Sequence, residues 1–391
     1  MRLRAQLVLF AVLLAALFTF GSASAIEHNI AGSGQLDYEY VPTAAHGNAN
    51  AGTFNTFDAF TLEAAAKLSV DVNEHLSANV KVCFGCHGFE ADMFYFDYRF
   101  WDELNFRAGR FSPSFGSFVL RHDPANQKLT DKPLPYDMGR MLRKGIWNNG
   151  VLPAPFPSNG LEVNGTHWFG EGVQLDYAGY AVTGFRNDTD PYPADLNFQE
   201  SHSPTYFVAV NGRPAFGGRA AMTVKTGRTS DVSAGASGMY GLYDAHDRFS
   251  YLILGADLSV RINHTNVRAE YLVRRQMMDT DEPSILKYAV AVQGGDFFVK
   301  QGAFVELEQP LVADLDLVTR LDGMFRSGNV LATSPLSSSA SVIRETLGFA
   351  YALDRNFRVK TSGELWEFNT PDATTGRTTE VSVHLGVVGT F

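Results

Sequence analysis

The chain lacks several features that define common protein classes. It has only two cysteines, both within residues 83–86, so disulfide or thioether chemistry is confined to one short segment. Beyond the N-terminal segment, no apolar run is long enough for a membrane-spanning helix. The formal net charge of −10 argues against nucleic acid as a partner. The G-x-S-x-G and H-E-x-x-H motifs of hydrolases are missing, so we expect no enzymatic activity.

The first 25 residues have the pattern of a secretory signal peptide. Arg2 and Arg4 form a basic start, residues 7–20 are apolar, and A-S-A at 23–25 matches a cleavage site. The apolar run is shorter than the roughly 20 residues that a bilayer-spanning helix needs. We therefore expect export, cleavage before Ile26, and one domain formed by residues 26–391.

Aromatic residues and glycine are abundant, with 30 Phe, 15 Tyr and 36 Gly. From about residue 55 to the end, apolar and polar residues alternate with period two, as in V-R-A-E-Y-L-V-R (267–274) and L-D-L-V-T-R-L-D-G-M-F-R (315–326). Such segments are typical of strands with one face in lipid and one face in a watery lumen. Closing the sheet into a barrel pairs the backbone N–H and C=O groups that an open sheet edge would leave without hydrogen bonds in lipid. We predict an all-β, transmembrane, antiparallel up-and-down β-barrel of about 16 strands. Residues 26–54 are less regular and predict a short periplasmic segment.

Turn-forming residues divide the alternating segments into strands and connections. Four short polar links are predicted to be periplasmic turns: 71–75, 101–104, 311–315 and 352–356. Four longer segments rich in Gly, Pro, Ser and Asn are predicted to be outer loops: 185–204, 276–285, 327–340 and 369–378.

Two segments carry a family resemblance. The last strand ends on Phe391 with alternating apolar residues before it, and it resembles the assembly signal of bacterial outer-membrane barrels. Residues 104–118 (L-N-F-R-A-G-R-F-S-P-S-F-G-S-F) resemble the R-x-G-R/Q-F-x-x-P-F-G region of the phosphate-selective porin O/P group, with Ser114 where that group usually has proline. The matching residues are Arg107, Gly109, Arg110, Phe111, Phe115 and Gly116. The resemblance implies a Gram-negative outer-membrane porin for passive diffusion of small polar solutes or ions, with the next loop folded inward.

That next loop is expected at residues 119–165, as the constriction of the pore. It carries six basic residues: Arg121, Lys128, Lys132, Arg140, Arg143 and Lys144. In a narrow pore these charges would favour anions. Alternatively they pair with the opposing barrel wall and hold the loop in place.

The sequence C-F-G-C-H at 83–87 is the attachment motif of a c-type haem, with Cys83 and Cys86 as thioether donors and His87 as axial iron ligand. Two other interpretations are open: a disulfide formed in the oxidising periplasm, and a metal site completed by a further ligand. The strands on either side place the motif at an outer hairpin. A covalent haem would make the barrel a component of an outer-membrane electron-transfer conduit, and it would require a periplasmic cytochrome as partner.

Three functions therefore remain: a porin, a haem-bearing barrel of a porin–cytochrome conduit, and a surface adhesin or structural barrel. The chain is too short for a receptor of about 22 strands with a plug domain. Lipid and small polar solutes are the expected partners, and assembly as a homotrimer is left open.

Overall fold

The computed structural model describes residues 27–41, 59–85, 88–137, 150–186, 209, 211–277, 297–328, 341–369 and 377–391. Within these residues the chain forms sixteen strands: β1 (Glu27–Tyr40), β2 (Ala59–Asp71), β3 (Leu76–Gly85), β4 (Gly88–Trp101), β5 (Leu104–Phe111), β6 (Ser158–Phe169), β7 (Val173–Val182), β8 (Ala215–Lys225), β9 (Asp231–Leu242), β10 (Ser250–Ile262), β11 (Thr265–Met277), β12 (Phe297–Val312), β13 (Leu315–Gly328), β14 (Ser341–Ala352), β15 (Phe357–Asn369) and β16 (Arg377–Thr390). No helix among these residues is long and apolar enough to cross a membrane.

The strands form one closed barrel in which every strand pairs antiparallel with its sequence neighbours. The barrel closes where β1 pairs with β16, with Glu39 opposite His384 and Ser33 opposite Thr390. The terminal Phe391 continues this pairing, since its backbone exchanges two hydrogen bonds with Gly32. Closure leaves no unpaired sheet edge, as the predicted fold requires. The expectation of an irregular segment at 26–54 is wrong for its first part, because residues 27–40 are a full barrel strand.

The two faces of the strands have opposite chemistry, as the alternation predicts. On β13, Leu321 and Phe325 point outward and are 52% and 42% exposed, whereas Arg320 and Asp322 point inward and are buried. Exposed aromatic and aliphatic side chains recur around the outside, and Trp101, Trp168 and Phe169 lie near the strand ends. An apolar outer surface with aromatic residues at its rim is the surface that a bilayer solvates. The fold is therefore a transmembrane barrel.

The two ends of the barrel differ in the length of their connections. All four predicted turns are confirmed, since β2–β3, β4–β5, β12–β13 and β14–β15 are joined by short links at the predicted positions. We call this the turn end. At the opposite loop end, strands stop near the predicted outer loops at 185–204, 276–285, 327–340 and 369–378, and most residues of these loops lie outside the described part of the chain.

The connection between β5 and β6 folds into the barrel. Two glycines of the sequence motif direct this path. Gly109 has φ +132°, and an added Cβ would lie 2.4 Å from the Phe94 carbonyl oxygen; Gly116 has φ +59°, and an added Cβ would lie 2.3 Å from Tyr136 Oη. Only glycine fits both positions. The inward loop starts after Phe111 and ends before Ser158, so the predicted boundaries of 119–165 are too late, and residues 158–165 belong to β6.

Candidate functional site

The inward loop packs on the inner faces of β11 to β16, which we call the loop-packed wall. An apolar cluster lies at this contact. The Tyr136 and Phe118 rings stack with centroids 4.9 Å apart, and Phe304 of the wall packs edge-on against both. The Tyr136 hydroxyl and the Ser117 hydroxyl both donate hydrogen bonds to Glu270. Burial, and then the Glu270 carboxylate, raise the pKa of Tyr136 well above its usual value.

Ion pairs buried between loop and wall surround this apolar cluster. Arg344 is fully buried and donates to Asp131 of the loop at 3.0 Å and to Asp322 of the wall at 2.7 Å. Its guanidinium also lies 3.3 Å from Glu364 Oε1. Burial, together with the nearby Glu364 carboxylate, raises the pKa of Asp131 to about 7. These inward-facing charges of the wall therefore contact the loop, in place of the watery lumen that the alternation predicts.

The predicted basic residues of the loop contact carboxylates of the barrel. Lys128 Nζ lies 3.0 Å from Asp316, Lys132 Nζ lies 3.7 Å from Glu63, and Arg121 NH1 lies 3.7 Å from Glu306. These contacts match the alternative in which the basic residues hold the loop against the wall. Arg140, Arg143 and Lys144 lie outside the described residues, so an anion filter formed by the six residues remains a prediction.

A second attachment of the loop lies at β3. Lys81 Nζ is 2.9 Å from His122 Nε2 and 2.7 Å from Asp123 Oδ1, and His122 Nδ1 is 2.6 Å from the Val119 carbonyl oxygen. A neutral imidazole that donates from Nδ1 and accepts at Nε2 satisfies both contacts. Burial, and then the Lys81 ammonium, lower the pKa of His122 to about 4. The pKa of Asp123 is lowered to about 2 despite burial, because His122 and Lys81 favour its ionised form.

Cys83 lies close to the end of β3 that faces the loop end, in the β3–β4 hairpin where the motif was predicted. Cys83 faces the lumen and contacts Asp92 Oδ2 at 3.4 Å. Asp92 reaches this position because the β3–β4 register shifts between Lys81 and Val82, and a bulge can re-aim a side chain. Cys86 and His87 lie outside the described residues. Haem attachment, a disulfide and a metal site at this motif all remain predictions.

A cavity lies at the turn end of the barrel, lined by residues of β1 to β6 and their turns, and we call it the vestibule. Its volume is about 910 Å³, and its charged lining residues are Glu27, Asp71, Glu74, Asp97, Arg99 and Arg107. Arg107 pairs with Asp97 at 2.7 Å, and these two side chains keep 24% and 29% of their surface exposed. Unlike Arg344 and Asp322 on the wall, they remain in contact with solvent. The sequence motif marked Arg107 but gave no indication that it lines a cavity.

Comparisons with known proteins agree on the fold. No protein-family model and no curated protein sequence matches the chain. Among solved structures, the outer-membrane channel DcaP of Acinetobacter baumannii has a TM-score of 0.58 at 13% identity, covering 95% of this chain and 99% of that chain. An anion-selective porin from Comamonas acidovorans has a TM-score of 0.57 at 11% identity, covering 94% and 100%. Salmonella typhi OmpF in complex with daunomycin has a TM-score of 0.56 at 13% identity, covering 94% and 98%. At these identities the likeness concerns the barrel fold.

Proposed function

We propose that the chain is an outer-membrane channel for passive diffusion of small polar solutes or ions. The observation that carries the proposal is the position of residues 112–137 and 150–157, which lie inside a closed barrel and contact the inner faces of strands from several parts of its wall. A loop in this position narrows the lumen and leaves the strand pairing of the barrel wall unchanged. Its rigid attachment at Arg344, Glu270 and Lys81 suits a fixed constriction better than a mobile gate.

We infer that the passage opens through the vestibule at the turn end of the barrel. There Asp97 and Arg107 line the vestibule with partly exposed charges. Hydrated polar groups along a lumen reduce the desolvation that a polar solute would suffer in crossing a bilayer. The vestibule lining holds four carboxylates and two guanidiniums, so we infer a preference for cations, opposite in sign to the anion filter predicted from the loop sequence.

Location in the outer membrane is part of the same proposal. The apolar outer surface requires a bilayer, and the N-terminal pattern predicts export. DcaP is an outer-membrane channel, and the Comamonas acidovorans protein is a porin; their shared architecture supports the same location and mode of action here. The phosphate-selective O/P resemblance supplies no solute, because neither the vestibule nor the loop contacts identify one.

Ion current through single barrels in planar bilayers tests the proposal. We expect stable conductance steps from the wild-type protein. To map the route, Asn105, which lines the vestibule, is replaced by cysteine in a background in which Cys83 and Cys86 are serine. A charged, water-soluble thiol reagent should then reduce the current.

Ser362→Cys provides the matched control. Ser362 is 2% exposed and hydrogen-bonded to Thr130 of the loop, so the same reagent should leave its current unchanged. If barrels inserted into the bilayer but carried no current, the proposed channel function would be wrong. If the reagent reduced the current of Ser362→Cys and not that of Asn105→Cys, the ions would not pass through the vestibule.

A further inference from the structure

A group of metal-ligand side chains lies at the seam where β1 meets β16. Asp37 and Glu39 belong to β1, His384 to β16, and Asp131 to the inward loop. One ligand-type atom from each of Asp37, Asp131 and His384 lies within 4.8 Å of the other two. These three residues are 3%, 2% and 1% exposed. Segments far apart in sequence thus converge on one buried point.

The imidazole of His384 is oriented as metal-bound histidines usually are. Its Nδ1 lies 3.3 Å from Asp37 Oδ2, and a carboxylate at one ring nitrogen fixes the tautomer that presents the other nitrogen to a metal. Its Nε2 lies 3.3 Å from Glu364 Oε2 but makes no hydrogen bond to it. The same nitrogen lies 3.7 Å from Glu39 Oε1 and 3.9 Å from Asp131 Oδ2. These separations exceed a hydrogen bond. They match two ligands that share one ion at about 2 Å each, which places them roughly 3–4 Å apart.

Unsatisfied polar atoms point to the same site. Asp37 Oδ1, Glu39 Oε1 and His384 Nε2 are buried and have no hydrogen-bond partner, a costly condition for polar atoms away from water. The site also concentrates negative charge. Asp37, Glu39, Asp131 and Glu364 surround the imidazole, and the Arg344 guanidinium reaches the last two. A bound cation would satisfy Glu39 Oε1 and His384 Nε2 and would offset the charge of the surrounding carboxylates.

We propose that His384, Asp131 and Glu39 bind one divalent transition-metal ion, with Asp37 orienting the imidazole through Nδ1. An imidazole with carboxylates is a donor set suited to Zn²⁺, whereas Ca²⁺ and Mg²⁺ take oxygen ligands. The ion fastens the loop, through Asp131, to the first and last strands of the barrel. It therefore stabilises the constriction and the barrel seam at the same point.

Calorimetric titration with ZnCl₂ tests the site on the full mature barrel, purified without a histidine tag, folded in detergent and treated with chelator. We expect one Zn²⁺ per chain. His384→Gln and Asp131→Asn should each weaken binding by about 100-fold or more, since even the residues that orient metal ligands contribute roughly 10–100-fold. Absence of Zn²⁺ binding by the wild type would overturn the proposal. Binding of Ca²⁺ in place of Zn²⁺ would overturn the transition-metal assignment.

Two control variants separate lost ligands from disturbed packing. His167→Gln removes an exposed imidazole that pairs with Glu103 at 2.5 Å near the turn end. Thr130→Ala removes a loop hydroxyl that contacts Ser362 at 3.0 Å, next to Asp131. Both should keep wild-type affinity for Zn²⁺. Equal losses in Thr130→Ala and His384→Gln would reduce the role of His384 to packing and contradict the site.

X-ray absorption at the zinc edge of the wild-type protein gives a test that needs no folded variant. One imidazole nitrogen and two or more oxygens are expected around the ion. Sulfur in the first shell would overturn the proposal and place the ion at Cys83. Neither readout measures ion current, so this site and the channel can fail independently.

Discussion

The loop-packed wall and the vestibule are built from the same kind of strand, yet their charges meet opposite environments. Arg344 on the wall is fully buried among Asp131, Asp322 and Glu364. Arg107 in the vestibule pairs with Asp97 and keeps contact with solvent. The difference comes from the loop, which covers one wall and contributes its own carboxylate at Asp131. Inward charge on a barrel strand therefore does not by itself indicate a hydrated pore lining.

Removing one buried guanidinium of the loop-packed wall should have the largest effect on stability and so distinguishes the wall most clearly from the vestibule. Arg344→Gln leaves Asp131, Asp322 and Glu364 without their shared partner, and an uncompensated charge in a buried ion pair costs about 3–5 kcal/mol. We expect a loss of this size in the free energy of unfolding. Urea-induced unfolding in lipid vesicles, followed by tryptophan fluorescence, measures it.

Arg261→Gln is the control for that measurement. Arg261 pairs with Asp231 at the turn end, with 53% of its side chain exposed, and exposed ion pairs contribute about 0–1 kcal/mol. A small loss is expected. If Arg261→Gln and Arg344→Gln destabilised the barrel equally, burial under the loop would have no energetic meaning.

Acidification should weaken the loop at its β3 attachment. His122 is held neutral against Lys81 and has its pKa lowered to about 4, below the ordinary value of roughly 6.5. Between these two values the unfolded chain binds a proton that the folded one rejects, so stability falls as the pH decreases from about 6.5 to 4. The shift corresponds to roughly 3 kcal/mol across that interval.

His122→Gln isolates this contribution. Asp131 has a raised pKa, so its effect over the same interval has the opposite sign: the folded state gains stability as the pH falls. Because wild type and variant share Asp131, the difference between their unfolding free energies reports His122. We expect the variant to be less sensitive to acid below pH 6.5. If the unfolding free energies of wild type and variant changed with pH in parallel, protonation of His122 would not contribute to the loss of stability in acid.

Much of the barrel could be predicted from the sequence, because lipid and lumen impose period two on nearly every strand. The inward placement of Arg320 and His384 followed from that alternation and is confirmed. Strand β1 was missed because its first half, E-H-N-I-A-G-S-G, has small and polar residues on both faces. Only Leu36, Tyr38 and Tyr40 carry a clear outward pattern there.

The site was less predictable, because it depends on contacts between remote segments. The loop's entry into the lumen followed from Gly109 and Gly116 in the motif. Its choice of wall did not, since Thr130 meets Ser362, 232 positions away, without any local sequence signal. Likewise the bulge that brings Asp92 to Cys83 breaks the alternation of β4, because Asp92 and Met93 are both buried while Ala91 and Phe94 are exposed. Burial of inward charges is decided by this tertiary packing.

The smallest expected effect on stability is in the vestibule. Arg107→Gln removes a charge that is partly exposed, so its pair with Asp97 contributes about 1 kcal/mol or less. Its other partner, Glu162, keeps hydrogen bonds from the Ser114 N–H at 2.9 Å and from Asn164 at 3.1 Å. Unfolding should therefore change little. The selectivity should change more, because one of two guanidiniums in a lining of four carboxylates is lost.

Reversal potentials under a salt gradient measure that change in selectivity. Arg107→Gln should raise the cation-to-anion permeability ratio, since it removes positive charge from the passage. Asp97→Asn alters the same pair in the opposite sense and should lower the ratio. Lys128→Gln is the comparison on the loop side, where the ammonium is 21% exposed and lies against Asp316 at 3.0 Å. A larger shift from Lys128→Gln than from Arg107→Gln would move the selective region from the vestibule to the loop, and it would favour the anion filter that the loop sequence predicts.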